Sequence, residues 1–262
     1  MVYNNIEYMV KNRIAYITLN RPEVRNALNE DLMGEIVLSL NAADNDKDVN
    51  VIVLQGAGDK AFSAGGDLNK LREKSRESSI SIREYTNNYG NMLLALERSV
   101  KPTISSVQGY ALAGGCGLAV ACDLTIASEK AIFGVPEINI GFWGAMITAP
   151  IVRLVGMKKA MELFYTGNQI TASEAEKLGL VNRVVSHERL GSEVAELASS
   201  IAKKSPLAIK LGREMFRNSR DMEYIKSINY LREMATILAG SEDAYEGMSA
   251  FLEKREAQWK GR

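Results

Sequence analysis

Residues 109–123 read GYALAGGCGLAVACD, and soon after comes FGVPEINIG, residues 133–141, whose Glu137 lies fourteen residues beyond Asp123. These two stretches constrain the fold more than any other part of the chain. Glycines and alanines crowd the first, so no side chain there is large enough to keep a ligand off the backbone. Small residues at the start of an apolar helix leave free N–H groups pointing outward, which suits an anion or oxyanion. The second stretch supplies one carboxylate, Glu137, from a loop, and such a group is a natural proton carrier. Both stretches follow short apolar runs, so the fold has to bring glycine-rich turns and a carboxylate to the ends of buried strands.

The rest of the chain supports that framework. Residues 6–10 and 14–19 read as a hairpin around Lys11-Asn12-Arg13. Asn29 is an N-cap candidate for a helix over 30–41, with Leu32, Ile36 and Leu40 at helical spacing. Residues 51–54, 103–107 and 124–127 are continuous apolar or β-branched runs, the pattern of strands covered on both faces. A second glycine-rich loop, GAGDKAFSAGGDL over 56–68, follows the first of these runs. Residues 70–81, charged and serine-rich, are expected to form a mobile insert, and 83–98 a helix. Beyond Gly141 strands become scarce, and helices are expected over 160–165, 172–178, 188–204, 207–218, 222–238 and 243–254. The first part therefore alternates strand and helix while the last third is helical. The expected division is an α/β core over 1–195 and a helical region over 196–262.

Composition removes several classes of function. Lys+Arg and Asp+Glu balance at 32 each, which offers no field for nucleic acid or anionic lipid. The most apolar region, 138–155, is interrupted by glycines, Pro150 and Arg153 and falls short of a membrane span. Cys116 and Cys122 sit in apolar surroundings six residues apart, which disfavours a disulfide and suits a reducing cytoplasm. The N-terminus has no basic region followed by an apolar core and cleavage site, so a cytoplasmic protein is expected.

Three chemistries fail on their motifs. Residues 115–120 lack the third glycine of a dinucleotide fingerprint and there is no Walker lysine. Ala61-Phe62-Ser63-Ala64-Gly65 is one residue off a nucleophile elbow, but His187 is the single histidine and lies in a polar turn. One histidine and two apolar cysteines supply no recognisable metal-ligand set.

What remains is two glycine-rich loops after buried strands plus Glu137. The segments RPEVRNALN, KAFSAGGDL, GYALAGGCGLAVACD, FGVPEINIG, TGNQITASEAEKLGLVNRVV and EGMSAFLEKR, in that order, resemble the enoyl-CoA hydratase/isomerase (crotonase) family along essentially the whole chain. The resemblance implies a crotonase-like α/β spiral of ββα units with a helical C-terminal trimerisation region, giving a homotrimer or homohexamer. It implies an acyl-CoA thioester substrate, a place in fatty-acid metabolism, no further cofactor, no metal, and no nucleic-acid or membrane partner. By position it assigns the backbone N–H groups of Gly66 and Gly114 to an oxyanion hole. Ala64, Asp67 and Leu68 would contact the adenine and pantetheine of coenzyme A, although Asp67 reads equally as a helix cap. Arg25 would lie near the CoA phosphates. Phe251 and Lys254 would close the CoA pocket, or else be a packing residue and a solvated charge. Phe142 and Trp143 would wall the acyl pocket, whereas Met146 reads better as core packing.

The chain departs from the family pattern at one point. Family hydratases carry a second glutamate in the helix after the oxyanion glycines, and here that position is Gly117. Two carboxylates hold and polarise water for addition across a double bond, whereas one alone can shuttle a proton between carbons, as Δ3/Δ2 isomerisation needs. Hydration and isomerisation both remain open on the residues. So do decarboxylation, thioester hydrolysis and a non-catalytic acyl-CoA- or RNA-binding role. A glutamate introduced at 117 is expected to raise water addition if the missing carboxylate is what hydration needs.

Overall fold

A computed structural model describes residues 2–262. The chain opens with a hairpin, β1 (Ile6–Lys11) and β2 (Ile14–Leu19), turned by Asn12 and Arg13 with φ of 52° and 64°. Two successive left-handed residues match the right-handed twist of the flanking strands. Next come α1 (Glu30–Asn45), β3 (Val51–Gly56), β4 (Ala61–Ser63), α2 (Leu68–Glu77), α3 (Ser79–Arg98), β5 (Thr103–Val107), β6 (Tyr110–Leu112) and α4 (Gly114–Val120). They are followed by β7 (Leu124–Ser128), β8 (Ile132–Gly134), α5 (Thr148–Thr166), β9 (Gln169–Thr171), α6 (Ala172–Leu178) and β10 (Arg183–Val185). Four helices end the chain: α7 (Leu190–Ala202), α8 (Pro206–Ser219), α9 (Tyr224–Ala239) and α10 (Glu242–Glu253).

The strands form two sheets, ordered β1-β2-β3-β5-β7-β10 and β4-β6-β8-β9. Each central turn of chain gives one strand to the large sheet, one to the small sheet, and then helix: β3-β4-α2-α3, β5-β6-α4, β7-β8-α5. Because every turn returns the same way, β3, β5 and β7 pair in parallel, and so do β4, β6 and β8. This is the α/β spiral of ββα units expected from the sequence.

The apolar run of β3 has a simple cause. Side chains alternate across a strand, and both faces of the large sheet are covered. Ile52 and Leu54 join a core with Leu32, Ile36 and Leu40 of α1 and Met92 and Leu96 of α3. Val51 and Val53 join Ile104, Ile126 and the α7 residues Leu190, Val194, Ala198 and Ala202 on the other face. Each such fully buried aliphatic side chain stabilises the fold by about 1.5–3 kcal/mol.

Residues 70–81 depart from expectation, since they are α2 and the start of α3 rather than an irregular insert. No α2 side chain is fully buried, and its packing against the core is through half-buried Leu71. Its cap is Asp67, which accepts from the Lys70 N–H at 3.3 Å, and the pairs Lys70–Glu73 and Lys74–Glu77 lie on its surface. Ser78 closes α2 and caps α3 by accepting from the Ser81 N–H at 3.1 Å. Charge density suggested a loop, but the cap and the i,i+3 pairs make it a helix.

The large sheet has α7 across one face, and the expected division at 195 falls inside that helix. Beyond it, α8 is tied to the core through Arg213, which donates to the Ser99 carbonyl at 3.2 Å and pairs with Asp123. The buried Asp243 of α10 accepts from the Ser205 hydroxyl at 2.6 Å and from the backbone of Lys260 and Gly261, fastening the last residues back onto the helices. Both cysteines are free and buried. No helix among the described residues is long and apolar enough to cross a membrane.

Candidate active site

The site is built from backbone first. Parallel neighbours β4 and β6 deliver their following loops, 64–67 and 113–114, to the same edge of the small sheet. The loops touch at Gly65. Its φ is +95°, and a Cβ there would lie 2.7 Å from the Ala113 Cβ and 2.8 Å from the Leu112 carbonyl, so only glycine fits. Ala113 itself has φ 50° and ψ −130°, a conformation that costs a non-glycine residue about 1–3 kcal/mol.

Leu28 bridges to the first loop, donating to the Gly65 carbonyl at 2.8 Å and accepting from the Asp67 N–H at 3.0 Å. The preceding polar segment is held by buried Asn26, whose amide donates to the Ala57 and Ala61 carbonyls at 3.0 and 2.9 Å. Three of the amides flanking the two oxyanion candidates are used. Gly65 N–H donates to Ser63 Oγ, Asp67 N–H to Leu28, and Ala113 N–H to the Gly134 carbonyl. Among the described residues, the N–H groups of Gly66 and Gly114 donate to no protein acceptor.

Glu137 enters from a 3-10 turn, Pro136–Ile140, that follows β8 and is closed by Gly141 at φ 73°. Its Oε2 is buried and has no hydrogen-bond partner. Burial raises its carboxyl above the ordinary 4.5, and a bond from its own backbone N–H opposes the shift.

Gly66, Gly114 and Glu137 line one cavity of about 570 Å³. Ala64, Asp67, Leu68, Phe142 and Trp143 line it too, so eight of the residues singled out in the sequence converge here. Met146, expected to be core packing, both contacts the core and lines the cavity. Trp143 stacks on Phe164 with centroids 5.1 Å apart and donates from Nε1 to Thr148 Oγ1 at 3.2 Å, which fixes that wall of the cavity. Asp67 combines two roles, capping α2 and pairing with Arg21 at 3.5 Å while facing the cavity.

Four singled-out residues do not line the cavity: Arg25, Gly117, Phe251 and Lys254. Arg25 is exposed between the lining residues Val24 and Ala27, and its carbonyl accepts from the Ala64 N–H at 2.9 Å. Phe251 is 83% exposed on α10 and so is not a packing residue of this chain, and Lys254 closes that helix with φ 55°.

Gly117 is the largest departure. A Cβ there would lie 2.1 Å from Ile147 Cγ2 and 2.5 Å from the Tyr89 hydroxyl. The volume a second glutamate would enter is already filled by Ile147 and the Tyr89 hydroxyl.

The sequence also failed to mark Tyr85 and Tyr89, which line the cavity from α3. The available signal is two phenols at i,i+4 in the helix expected over 83–98, which is weak without the helix's position. Ser63 is not a nucleophile, since its buried hydroxyl donates to the Asn26 carbonyl at 2.8 Å. His187 is bonded to Ser128 at 3.1 Å and does not line the cavity.

Comparison with known proteins agrees with this geometry. Residues 9–262 match the profile of the enoyl-CoA hydratase/isomerase family. A probable mitochondrial enoyl-CoA hydratase of Dictyostelium discoideum is 41% identical over 254 residues, covering 95% of this chain and 88% of that protein. A 2,3-dehydroadipyl-CoA hydratase of Escherichia coli is 38% identical, covering 95% and 96% respectively. The crystal structure of an enoyl-CoA hydratase from Bacillus anthracis superposes with a TM-score of 0.93 at 32% identity, over 99% of this chain and 100% of that one. The chain belongs to the enoyl-CoA hydratase/isomerase family.

Proposed function

We propose that the protein shifts the double bond of an enoyl-CoA thioester between the Δ3 and Δ2 positions, with Glu137 as the single proton carrier. The observation that carries this reading is the unpartnered, buried Oε2 of Glu137 in the same cavity as the two unused amides of Gly66 and Gly114. In the ionised state Glu137 removes a proton from C2 of the 3-enoyl thioester. The C–H electron pair forms a C1=C2 bond as the carbonyl pair moves onto the thioester oxygen, where charge accumulates. This dienolate collapses to the C2=C3 bond, with C1=O re-formed, when the C3=C4 pair takes a proton at C4. The N–H groups of Gly66 and Gly114 receive that charge, and each such donor is worth about 3–4 kcal/mol when its removal is the measure. The same carboxyl then returns the proton at C4. Atoms and electrons balance without water or any co-reactant.

Hydration is the second reading, favoured by the names of the relatives, which are hydratases. Against it stands the filled volume at Gly117, which leaves Glu137 without a partner carboxylate to hold water. Offering trans-3- and trans-2-enoyl-CoAs and following products by mass spectrometry separates the two, because only hydration adds the mass of one water. Glu137→Gln should lower turnover by about 10³-fold or more while leaving acyl-CoA affinity within a few-fold. Turnover surviving that change would remove Glu137 from the mechanism.

For the rest of the ligand, the reading places Ala64, Asp67 and Leu68 against adenine and pantetheine. Exposed Arg25 and Lys254 lie toward the phosphates, and Phe251 closes the pocket, from a neighbouring subunit if the chain is a homotrimer or homohexamer. Such assembly is supported by the apolar side chains left uncovered on α8–α10, Phe216, Tyr224, Phe251 and Leu252 among them.

A further inference from the structure

The two tyrosines that the sequence did not mark lie one turn apart on α3, and each reaches one half of the cavity's backbone frame. Tyr85 donates its hydroxyl to the Leu28 carbonyl at 2.8 Å. That carbonyl also accepts from the Asp67 N–H, so the bond braces the loop carrying Gly66. A Cβ on Gly66 would lie 3.2 Å from the Tyr85 hydroxyl. Tyr89 donates to the Gly114 carbonyl at 2.7 Å. Its ring lies against Gly114, where a Cβ would be 3.0 Å from Cε2, and its hydroxyl fills the room beside Gly117. Both side chains are buried yet line the cavity.

We propose that Tyr85 and Tyr89 are positioning residues that together set the spacing and aim of the Gly66 and Gly114 amides. On this view α3 is the rigid bar joining two loops that come from different turns of the spiral. Without it, a strained Ala113 and a loop tied only by backbone bonds to Arg25 and Leu28 and a bond to Ser63 Oγ would have to keep two donors on one oxygen, and small misplacements there are expensive. Burial raises the Tyr85 hydroxyl to about 12 and the Tyr89 hydroxyl well above 10, so both remain donors across the working range. The same arrangement explains the single carboxylate, because the space beside Gly117 is occupied by the phenol that braces Gly114. The inference rests on the enolate reading of the site.

The test uses acetoacetyl-CoA, a 3-ketoacyl thioester whose enolate absorbs in the near ultraviolet. Wild type, Tyr85→Phe and Tyr89→Phe are titrated with pH while the bound enolate band, the affinity for the ligand, kcat and KM are recorded. Each Phe variant should hold about three- to tenfold less enolate at a given pH, with kcat lowered by a similar factor and affinity and KM within threefold. An unmoved enolate midpoint and kcat in Tyr89→Phe would overturn the proposal, as would a loss of thermal stability alone. Should Tyr89→Phe fail to fold, Tyr85→Phe, which touches the other loop, decides the matter. If even the wild type shows no enolate on binding, it is the oxyanion role of Gly66 and Gly114 that fails, whatever the tyrosines do.

Discussion

Glu137 and Gly117 show how a single position divides function from stability. The Glu137 carboxyl is raised by burial, so the folded state prefers it protonated. The stability it contributes is complete below the unfolded value near 4.5 and is lost as pH rises through the folded value. Glutamine carries no charge at any pH. Glu137→Gln should therefore be more stable than wild type at neutral pH, by about 1 kcal/mol, and the advantage should vanish in acid, as thermal unfolding at two pH values will reveal. Activity runs the other way, since the carboxylate must be ionised to take a proton, so kcat/KM should rise with pH on a limb above the ordinary carboxylate range. At Gly117 the contacts with Ile147 and the Tyr89 hydroxyl forbid a side chain. Gly117→Glu should destabilise the fold by about 3 kcal/mol or more, from overpacking and an unpaired charge, and yield no 3-hydroxyacyl-CoA. A folded, hydrating variant would show that Ile147 and Tyr89 give way.

At the scale of elements, α2 is the weakest helix beside the cavity. It has no fully buried side chain and packs on the core only through half-buried Leu71, so its cap carries a large share of its stability. Asp67→Ala removes the cap and the Arg21 pairing together. The expected loss is about 1 kcal/mol, confined to α2, so amide exchange over 68–77 should quicken while the global unfolding temperature moves little. Because Leu68, Asn69 and Leu71 line the cavity, KM for the acyl-CoA should rise as well. Uniform destabilisation with α2 exchange unchanged would mean that the helix is held by something other than its cap. By contrast α4, only seven residues long, has six of them buried and needs no side-chain cap. The two helices border the same cavity for opposite reasons, one by local chemistry and the other by burial.

For the whole molecule, the spiral explains why distant segments meet. Each turn adds a strand to the small sheet, so loops from successive turns emerge side by side at one edge. The C-terminal helices are fastened back through Arg213 and Asp243 but leave Phe216 and Phe251 80% and 83% exposed. Exposed aromatic side chains such as these support the proposed homotrimer or homohexamer. Sedimentation at micromolar concentration should give three or six times the chain mass of 28.8 kDa. A monomer under those conditions would count against the subunit-completed CoA pocket.

Much of this was legible from local pattern alone. Continuous apolar runs announced strands covered on both faces, and Asn29 marked a helix start that the structure retains. Two glycine-rich loops and one loop carboxylate already named the elements of the site, because a backbone that must approach a ligand or take a positive φ leaves few residue choices. Three-residue strands such as β4, β6 and β8 were not legible, since their identity lies in pairing rather than in their own side chains. Nor was the role of α3, because two phenols at helical spacing look like core until their hydroxyls are placed on the Leu28 and Gly114 carbonyls. The sequence by itself determined which groups this protein can offer to the proposed proton transfer and charge stabilisation. Only the tertiary structure decided that the space at Gly117 is filled, because that depends on Ile147 and Tyr89, brought there from separate turns of the spiral by packing.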